Sequence, residues 1–467
     1  MSPENLQEMV DGTDDLVGTF RDRDLEASIW DYPDKPYDFP AEFSNWIREQ
    51  KAWREQCAVI DQSFHMTHFR VTGDDDEAQD LFETVGINSF ADWRDGEPPR
   101  AKQFVALNPD GYVIGDCILF WLEEGHYLFV GEEPVSNWTT YQAEKGGYDV
   151  DCEMIYNPLG PRDPEYFRFE IMGPNAIDLM AEAVDGDLPE IPFFQMDELS
   201  IQGVDAYALG HQMTSERGIE IFGDYEHHDE VLDHIFAVGE DYGLRQVGNK
   251  AYITTGIELG WIPLPLPAVY DSPEMEAYRE WLPMESMEAN FVLGGSYVSE
   301  DISDYYATLG GLGYDHIAKF DHDFIGREAL EENEALLDGE QKVTFIIDDE
   351  DIMKVWGSLL EEGETYKFLT MPEVPYRSEL SRYDEILKDG ETVGMAKHMD
   401  YSYNEREFAA LGWIDTEYAE PGTRVTMRWG EPDTEKSQIE PHAMTELRAT
   451  VAPAPYMKKD REKAFAD

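Results

Sequence analysis

The chain has 467 residues, 42% of them apolar and 13% aromatic, enough for two or three structural units with a sizeable core, which excludes wholesale disorder. Asp and Glu number 100 against 35 Lys and Arg, a formal net charge of −65. Such a surface repels nucleic-acid phosphates and strains its own compact state until salt screens it, the Debye length falling to roughly 3 Å at about 1 M. The carboxylates are spread through the chain, not gathered in a tail, so the acidity is read as adaptation to a salt-rich cytoplasm. Cys57, Cys117 and Cys152 lack any CxxC spacing and indicate neither a disulfide framework nor a zinc site. Met1 to Asp14 is acidic without the apolar core of a secretory leader. The longest apolar run, Trp261 to Tyr270, carries three prolines and suits no membrane span. The expectation is a cytoplasmic protein with no nucleic-acid or membrane partner; the sequence names no protein partner.

In chain order, residues 1–40 are acidic, then rich in aromatics and proline (Trp30, Tyr32, Pro33, Pro36, Tyr37, Phe39, Pro40), and read as an arm laid over the body. Ala41 to Cys57 has helical spacing, with Phe43, Trp46, Ile47 and Trp53 on one side. His68 to Val85 reads as an alternating strand, a Gly73 turn and a helix; Tyr166 to Val184 repeats that order around Gly173. The pair suggests an internally duplicated αβ body, although strands precede helices in many unrelated chains. Between them, Tyr112 to Phe120 and His126 to Val130 read as a hairpin turned at Glu123-Glu124-Gly125. Asp229 to Gly243 and Phe324 to Leu337 read as helices, the second stopped by Asp338-Gly339. Beyond it the pattern is strands: Val343 to Ile347, Thr392 to His398, Phe408 to Ile414, Arg424 to Trp429 and Leu447 to Val451. A boundary near Asp338 and an all-β C-terminal domain are expected.

Several strings resemble one family. Phe169-Glu-Ile-Met-Gly-Pro-Asn-Ala176, Arg217-Gly-Ile-Glu-Ile-Phe-Gly223 and Lys319-Phe-Asp-His-Asp-Phe-Ile-Gly-Arg-Glu-Ala-Leu330 resemble the glycine-cleavage aminomethyltransferase family. Gly390 to Gly394, Leu411-Gly412 and Pro421-Gly-Thr-Arg-Val425 resemble its C-terminal barrel. Asp61-Gln-Ser-Phe-His-Met66, Ile87-Asn-Ser-Phe-Ala91, Ala101-Lys-Gln-Phe-Val105 and Gly260-Trp-Ile-Pro-Leu-Pro-Leu-Pro-Ala-Val-Tyr270 are most similar to its vanillate and syringate O-demethylase subgroup. The resemblance implies an α+β fold: a folate-binding body of duplicated αβ halves over 41–338, an N-terminal arm over 1–40 and an antiparallel β-barrel over 339–467. It also implies an enzyme that moves a methyl group from a small methoxy-aromatic or related donor to N5 of tetrahydrofolate or a similar reduced pterin.

Aryl ether demethylation without a metal needs a soft nucleophile, in-line attack and a proton for the departing phenolate. A tyrosine is a suitable proton donor, its usual pKa of about 10 lying near that of a phenol. The resemblance gives that role to Tyr252; on the residues alone it reads as a core tyrosine bonded to a backbone carbonyl. Glu220, in the strand Ile219-Glu220-Ile221, is implied to accept N–H donors of the pterin, or else faces solvent. Trp261 is implied to flank the folate, or else packs on the proline-rich run after it. Gln62 and His65 match the folate and substrate pocket, His65 also reading as a core histidine. His227-His228 is expected to be solvent-exposed.

Two departures bear on the donor. Amine-specific members carry an aspartate pair where Gly111-Tyr-Val-Ile-Gly-Asp116 has Gly115 and keeps Asp116 alone, as the O-demethylases do. Where the subgroup resemblance expects an arginine for a substrate carboxylate, Glu132 stands, and a like charge repels an aromatic acid. That leaves Arg100 or Lys102 as anchors, a neutral donor, or a cationic one: an N-methyl amine or a sulfonium such as dimethylsulfoniopropionate. A third reading, a non-catalytic folate-binding protein, expects a cysteine in a Lys-Gly-Cys context that is absent here.

Overall fold

The structure is a computed structural model that describes residues 3–23, 40–158, 162–214, 216–263, 265–371, 381–432, 436 and 439–456. The aromatic run Trp30, Tyr32, Pro33, Pro36, Tyr37 and Phe39 lies outside the described residues. Earlier in the arm, helices Leu6–Asp11 and Leu16–Arg21 start at Asn5 and Asp15, whose side chains accept from the Glu8 and Gly18 amides; each cap satisfies an otherwise orphaned donor. Leu6 and Phe20 are fully buried, the Leu6 amide donates to Leu282 O, and Phe20 meets Tyr270 edge-on at 5.2 Å. This stretch lies against the body.

Two sheets make the α+β body. The five-stranded sheet runs Arg100–Leu107, Val113–Glu123, His126–Gly131, Thr67–Gly73, Val150–Tyr156, all antiparallel. The six-stranded sheet runs Leu244–Gln246, Cys57–Asp61, Tyr166–Met172, Gly218–Asp224, Val204–Leu209, Met196–Ile201, parallel only at its first pair. Each sheet contains the expected repeat of strand, glycine turn and helix: Thr67–Gly73 into Asp75–Val85, and Tyr166–Met172 into Ala176–Ala183. Both turns demand glycine. Gly73 has φ 153 and Gly173 φ 119, and a Cβ would lie 2.6 Å from Asp149 O at the first and 2.8 Å from Gln56 O at the second.

The last third closes into a barrel, in the order Glu340–Ile347, Glu407–Asp415, Glu391–Ser402, Asp384–Lys388, Arg424–Trp429, Thr445–Pro453 and back to the first. Closure removes the exposed edges that an open sheet would leave. The all-β expectation for this region is corrected by helix Asp349–Ser358, capped by Asp348 and packed on the barrel through Ile352 and Val355. Phe324 to Leu337 is likewise two short helices, Arg327–Glu332 and Ala335–Asp338, interrupted at Asn333 and Glu334. Helix Trp46–Glu55 is shorter than expected because Cys57 already belongs to a strand, and Phe43 is exposed. Among the described residues, no helix is long and apolar enough to cross a membrane.

Candidate active site

The period of two in a strand sorts side chains onto two faces. In the six-stranded sheet Val59, Phe169, Ile171, Ile219 and Ile221 share one face, packed with helices Ala176–Ala183 and His228–Gly239. The alternate residues Ile60, Arg168, Glu170, Met172 and Glu220 take the other face, and Gln62 follows at the strand end. Glu170 and Glu220 are direct cross-strand partners, 0% and 1% exposed, so the solvent-facing reading of Glu220 is wrong: both faces of its strand are covered. Like charges opposite one another repel, and burial makes a carboxylate costly without partners. Two basic side chains answer them. Arg168 donates from Nε at 2.9 Å and Nη2 at 2.6 Å to Glu220 Oε1, with further bonds to Gln62 Oε1 at 3.4 Å and His65 O at 3.3 Å. His211 Nδ1 lies 3.0 Å from Glu170 Oε2 and 3.8 Å from Glu220 Oε2. Burial alone would lower the His211 pKa, but the adjacent carboxylates raise it on balance, while burial pushes the Glu170 carboxyl up. Glu170 Oε1 and Glu220 Oε2 are buried and accept no hydrogen bond among the described residues.

Beside this cluster Tyr252, in the short helix Asn249–Tyr252, places its hydroxyl 2.7 Å from His65 Nδ1. The partner is an imidazole, not the backbone carbonyl of a purely structural tyrosine. Burial, aided by the Arg168 charge, lowers the His65 pKa to about 3, so the ring is neutral across the physiological range. His65, Tyr252, Met213, Leu259, Trp261 and the barrel residue His398 line a narrow cavity of about 30 Å³. Gln62 Nε2 reaches Met213 Sδ at 2.7 Å. His65, Tyr252 and Trp261 therefore meet around one space, while Gln62 reaches it through Met213 and Glu220 through Arg168, neither lining the cavity.

Asp116 is a buried hub: its Oδ2 accepts from Gln103 Nε2 at 2.7 Å, Tyr314 Oη at 2.9 Å and Trp261 Nε1 at 3.3 Å. Burial pushes its carboxyl up. It orients Trp261, which is thus more than packing for the proline run. Glu132, buried just before helix Glu133–Gly146, is not on the cavity wall. Its charge is felt by Lys397 of the barrel, whose pKa burial holds well down against the pull of Glu132 and Asp384. Lys397 Nζ donates to Ser381 Oγ at 3.0 Å and sits 3.5 Å over the Tyr383 ring. Arg100 and Lys102 turn instead toward Asp92, at 3.6 and 2.6 Å. His228 is not solvent-exposed: it is half-buried against Asp61 at 2.8 Å. Sequence reading passed over Arg168, Glu170, His211, His398 and Lys397. The first two carried the signal that marked Glu220, polar residues at alternate positions of an apolar strand.

Residues 25–264 match the family model for the GCVT N-terminal domain. The chain is 37% identical to the syringate O-demethylase of Sphingobium sp. (strain NBRC 103272 / SYK-6) over 97% of its length and 96% of the relative's. It is 26% identical to the sesamin methylene transferase of Sinomonas sp. (strain No.22), over 85% of each chain. The fold is shared with the glycine cleavage system aminomethyltransferase T of Bartonella henselae, at a TM-score of 0.57 and 14% identity, over 89% of this chain and 90% of that one. On the family match and the relative that it parallels along nearly its whole length, the chain belongs to the GCVT aminomethyltransferase family.

Proposed function

We propose that the protein is a tetrahydrofolate-dependent demethylase that moves a methyl group from a methoxy-aromatic donor to the folate N5. The observation that carries this reading is the buried Tyr252–His65 pair at 2.7 Å, on a cavity wall shared with Trp261. The fit of a reduced pterin is supported by Glu220: one oxygen is held by Arg168, and Oε2 is a buried acceptor without a donor among the described residues. An N–H edge of a pterin supplies the donor that such an atom needs.

In this mechanism the bound reduced pterin supplies the nucleophilic nitrogen. Tyr252 delivers its phenolic proton to the aryl oxygen as the O–CH₃ bond breaks. Neutral His65 donates from Nδ1 to the tyrosine oxygen, which turns the phenolic proton toward the substrate and stabilises the charge left behind. Tyr252 is reprotonated afterwards, and the proton displaced at the methylated nitrogen balances the reaction. Trp261, tied to Asp116, covers the reacting atoms from water. Gln62 helps to hold the pterin, Asp116 acts through Trp261, which it orients, and Glu132 stands off the cavity wall. Because Glu132 stands off the cavity wall, the argument for an N-methyl amine or sulfonium donor loses force against a methoxy-aromatic one. The functional units are the arm 1–40, the folate body 41–338 and the barrel 339–467. The setting is a salt-rich cytoplasm, with no nucleic-acid partner.

The test is the full chain in molar salt with tetrahydrofolate and a panel of methoxy-aromatic, N-methyl amine and sulfonium donors, read by mass spectrometry of the pterin. Methyl-tetrahydrofolate is expected with a methoxy-aromatic. No bound pterin and no methylated pterin from any donor would end the reading.

A further inference from the structure

We propose that His211 is a positioning residue for the pterin: held by Glu170, its imidazolium balances the second buried carboxylate of the strand pair, so that Glu220 keeps its full negative charge and one open oxygen. The inference rests on the reading of Glu220 as the pterin acceptor.

The charges of the cluster can be counted among the described residues. Strand Tyr166–Met172 contributes Arg168 and Glu170, and strand Gly218–Asp224 contributes Glu220. The segment after strand Val204–Leu209 contributes His211. On its other side, among the described residues, His211 meets the rings of Phe193 at 6.5 Å and nearly parallel, and Phe194 at 6.2 Å. Arg168 spends both of its charge-bearing bonds to the pair on Glu220 Oε1. The Glu170 charge is left to His211, 3.0 Å from Oε2. The Glu170 carboxylate has little room to move: a Cβ at position 218 would lie 2.7 Å from its Oε1, a space that only Gly218 leaves. Two carboxylates and two cations balance only while the imidazole holds its proton.

Without that cation, two carboxylates face each other across one strand pair and share a single arginine. Such a pair holds a proton more tightly than either carboxylate alone, and that proton belongs to the pair and not to one residue. The open oxygen of Glu220 then loses part of its charge and pterin binding weakens. The same three side chains bring ligand atoms within 4.8 Å of one another, so a divalent cation is the competing explanation of the cluster.

The test is tetrahydrofolate affinity of the full chain in molar salt, measured anaerobically by titration calorimetry from pH 6 to 9. The wild type is expected to be flat. His211→Ala is expected to bind about tenfold more weakly at pH 6.5 and to recover by pH 9. Glu170→Gln/His211→Ala, which removes the competing carboxylate, should return to a flat, near-wild-type profile. Should the alanine variant not fold, His211→Gln replaces it, alone and with Glu170→Gln, with the same expectation. A loss in the His211 variant that is equal at every pH, or one that Glu170→Gln does not rescue, overturns the proposal. So does a stoichiometric divalent metal that elemental analysis finds in the wild type and misses in the variant. Glu220→Gln separates the two levels: if it binds tetrahydrofolate unchanged, the reading of Glu220 itself has failed; if it loses affinity while His211→Ala stays flat, only this inference has.

Discussion

Glu220 in the six-stranded sheet and Glu431 in the barrel are both buried, at 1% and 4% exposure, yet they are built for different ends. Both oxygens of Glu431 are engaged, Oε1 by Lys367 Nζ at 3.2 Å and Oε2 by Lys436 Nζ at 2.9 Å. Burial pushes its pKa up, but the two ammonium groups prevail and hold it low. Glu220 has one oxygen engaged and one left over. A saturated buried charge serves the fold, whereas a half-saturated one reserves an interaction for something not yet bound.

Four experiments bear on that contrast, in order of expected effect. Tyr252→Phe removes the proton donor beside the sheet cluster. Turnover in single-cycle kinetics should fall about 10²–10⁴-fold while tetrahydrofolate affinity is kept; equal loss of both would make the tyrosine structural. Glu431→Gln removes the carboxylate that two buried lysines share, and urea unfolding in molar salt should show a loss of about 3–5 kcal/mol. An unchanged midpoint would show that the barrel charges are not coupled as drawn. Glu220→Gln should leave the unfolding midpoint nearly unchanged but weaken tetrahydrofolate at least about tenfold, the scale of a hydrogen bond to a charged group. The smallest effect is on pH. Burial depresses His65 to about 3 and His398 to about 4 from 6.5. The unfolded chain therefore binds more protons than the folded one below pH 6.5, and Tm should decline as pH falls from there toward 4. His65→Gln should flatten part of that decline.

The repeated strand, glycine turn and helix were legible because each leaves a local mark, and so were five of the barrel strands. Gln62, His65, Glu220, Tyr252 and Trp261 came from strings resembling a family; alternation alone would have sent Glu220 to solvent, since one strand cannot reveal that its second face is covered. Arg168 and Glu170 were readable by the same alternation but stood next to a Gly-Pro turn that drew the attention. Helix Asp349–Ser358 was also within reach: Asp348 caps it, and Ile352 and Val355 are three apart. His211 was not legible at all. It sits after a strand end, and the reversal between Val204–Leu209 and Gly218–Asp224 carries it onto Glu220 and onto Glu170, which is distant in sequence.

The turn before Trp261 has a consequence for how the molecule comes into being. Gly260 presses on Pro455, with a Cβ there only 2.9 Å from the proline Cα, and Tyr456 donates its amide to Ile257 O at 3.4 Å. One wall of the pocket is thus locked by residues that follow the final barrel strand. On the ribosome the body can condense early, but that wall stays unfinished until the barrel has closed and its trailing residues have docked.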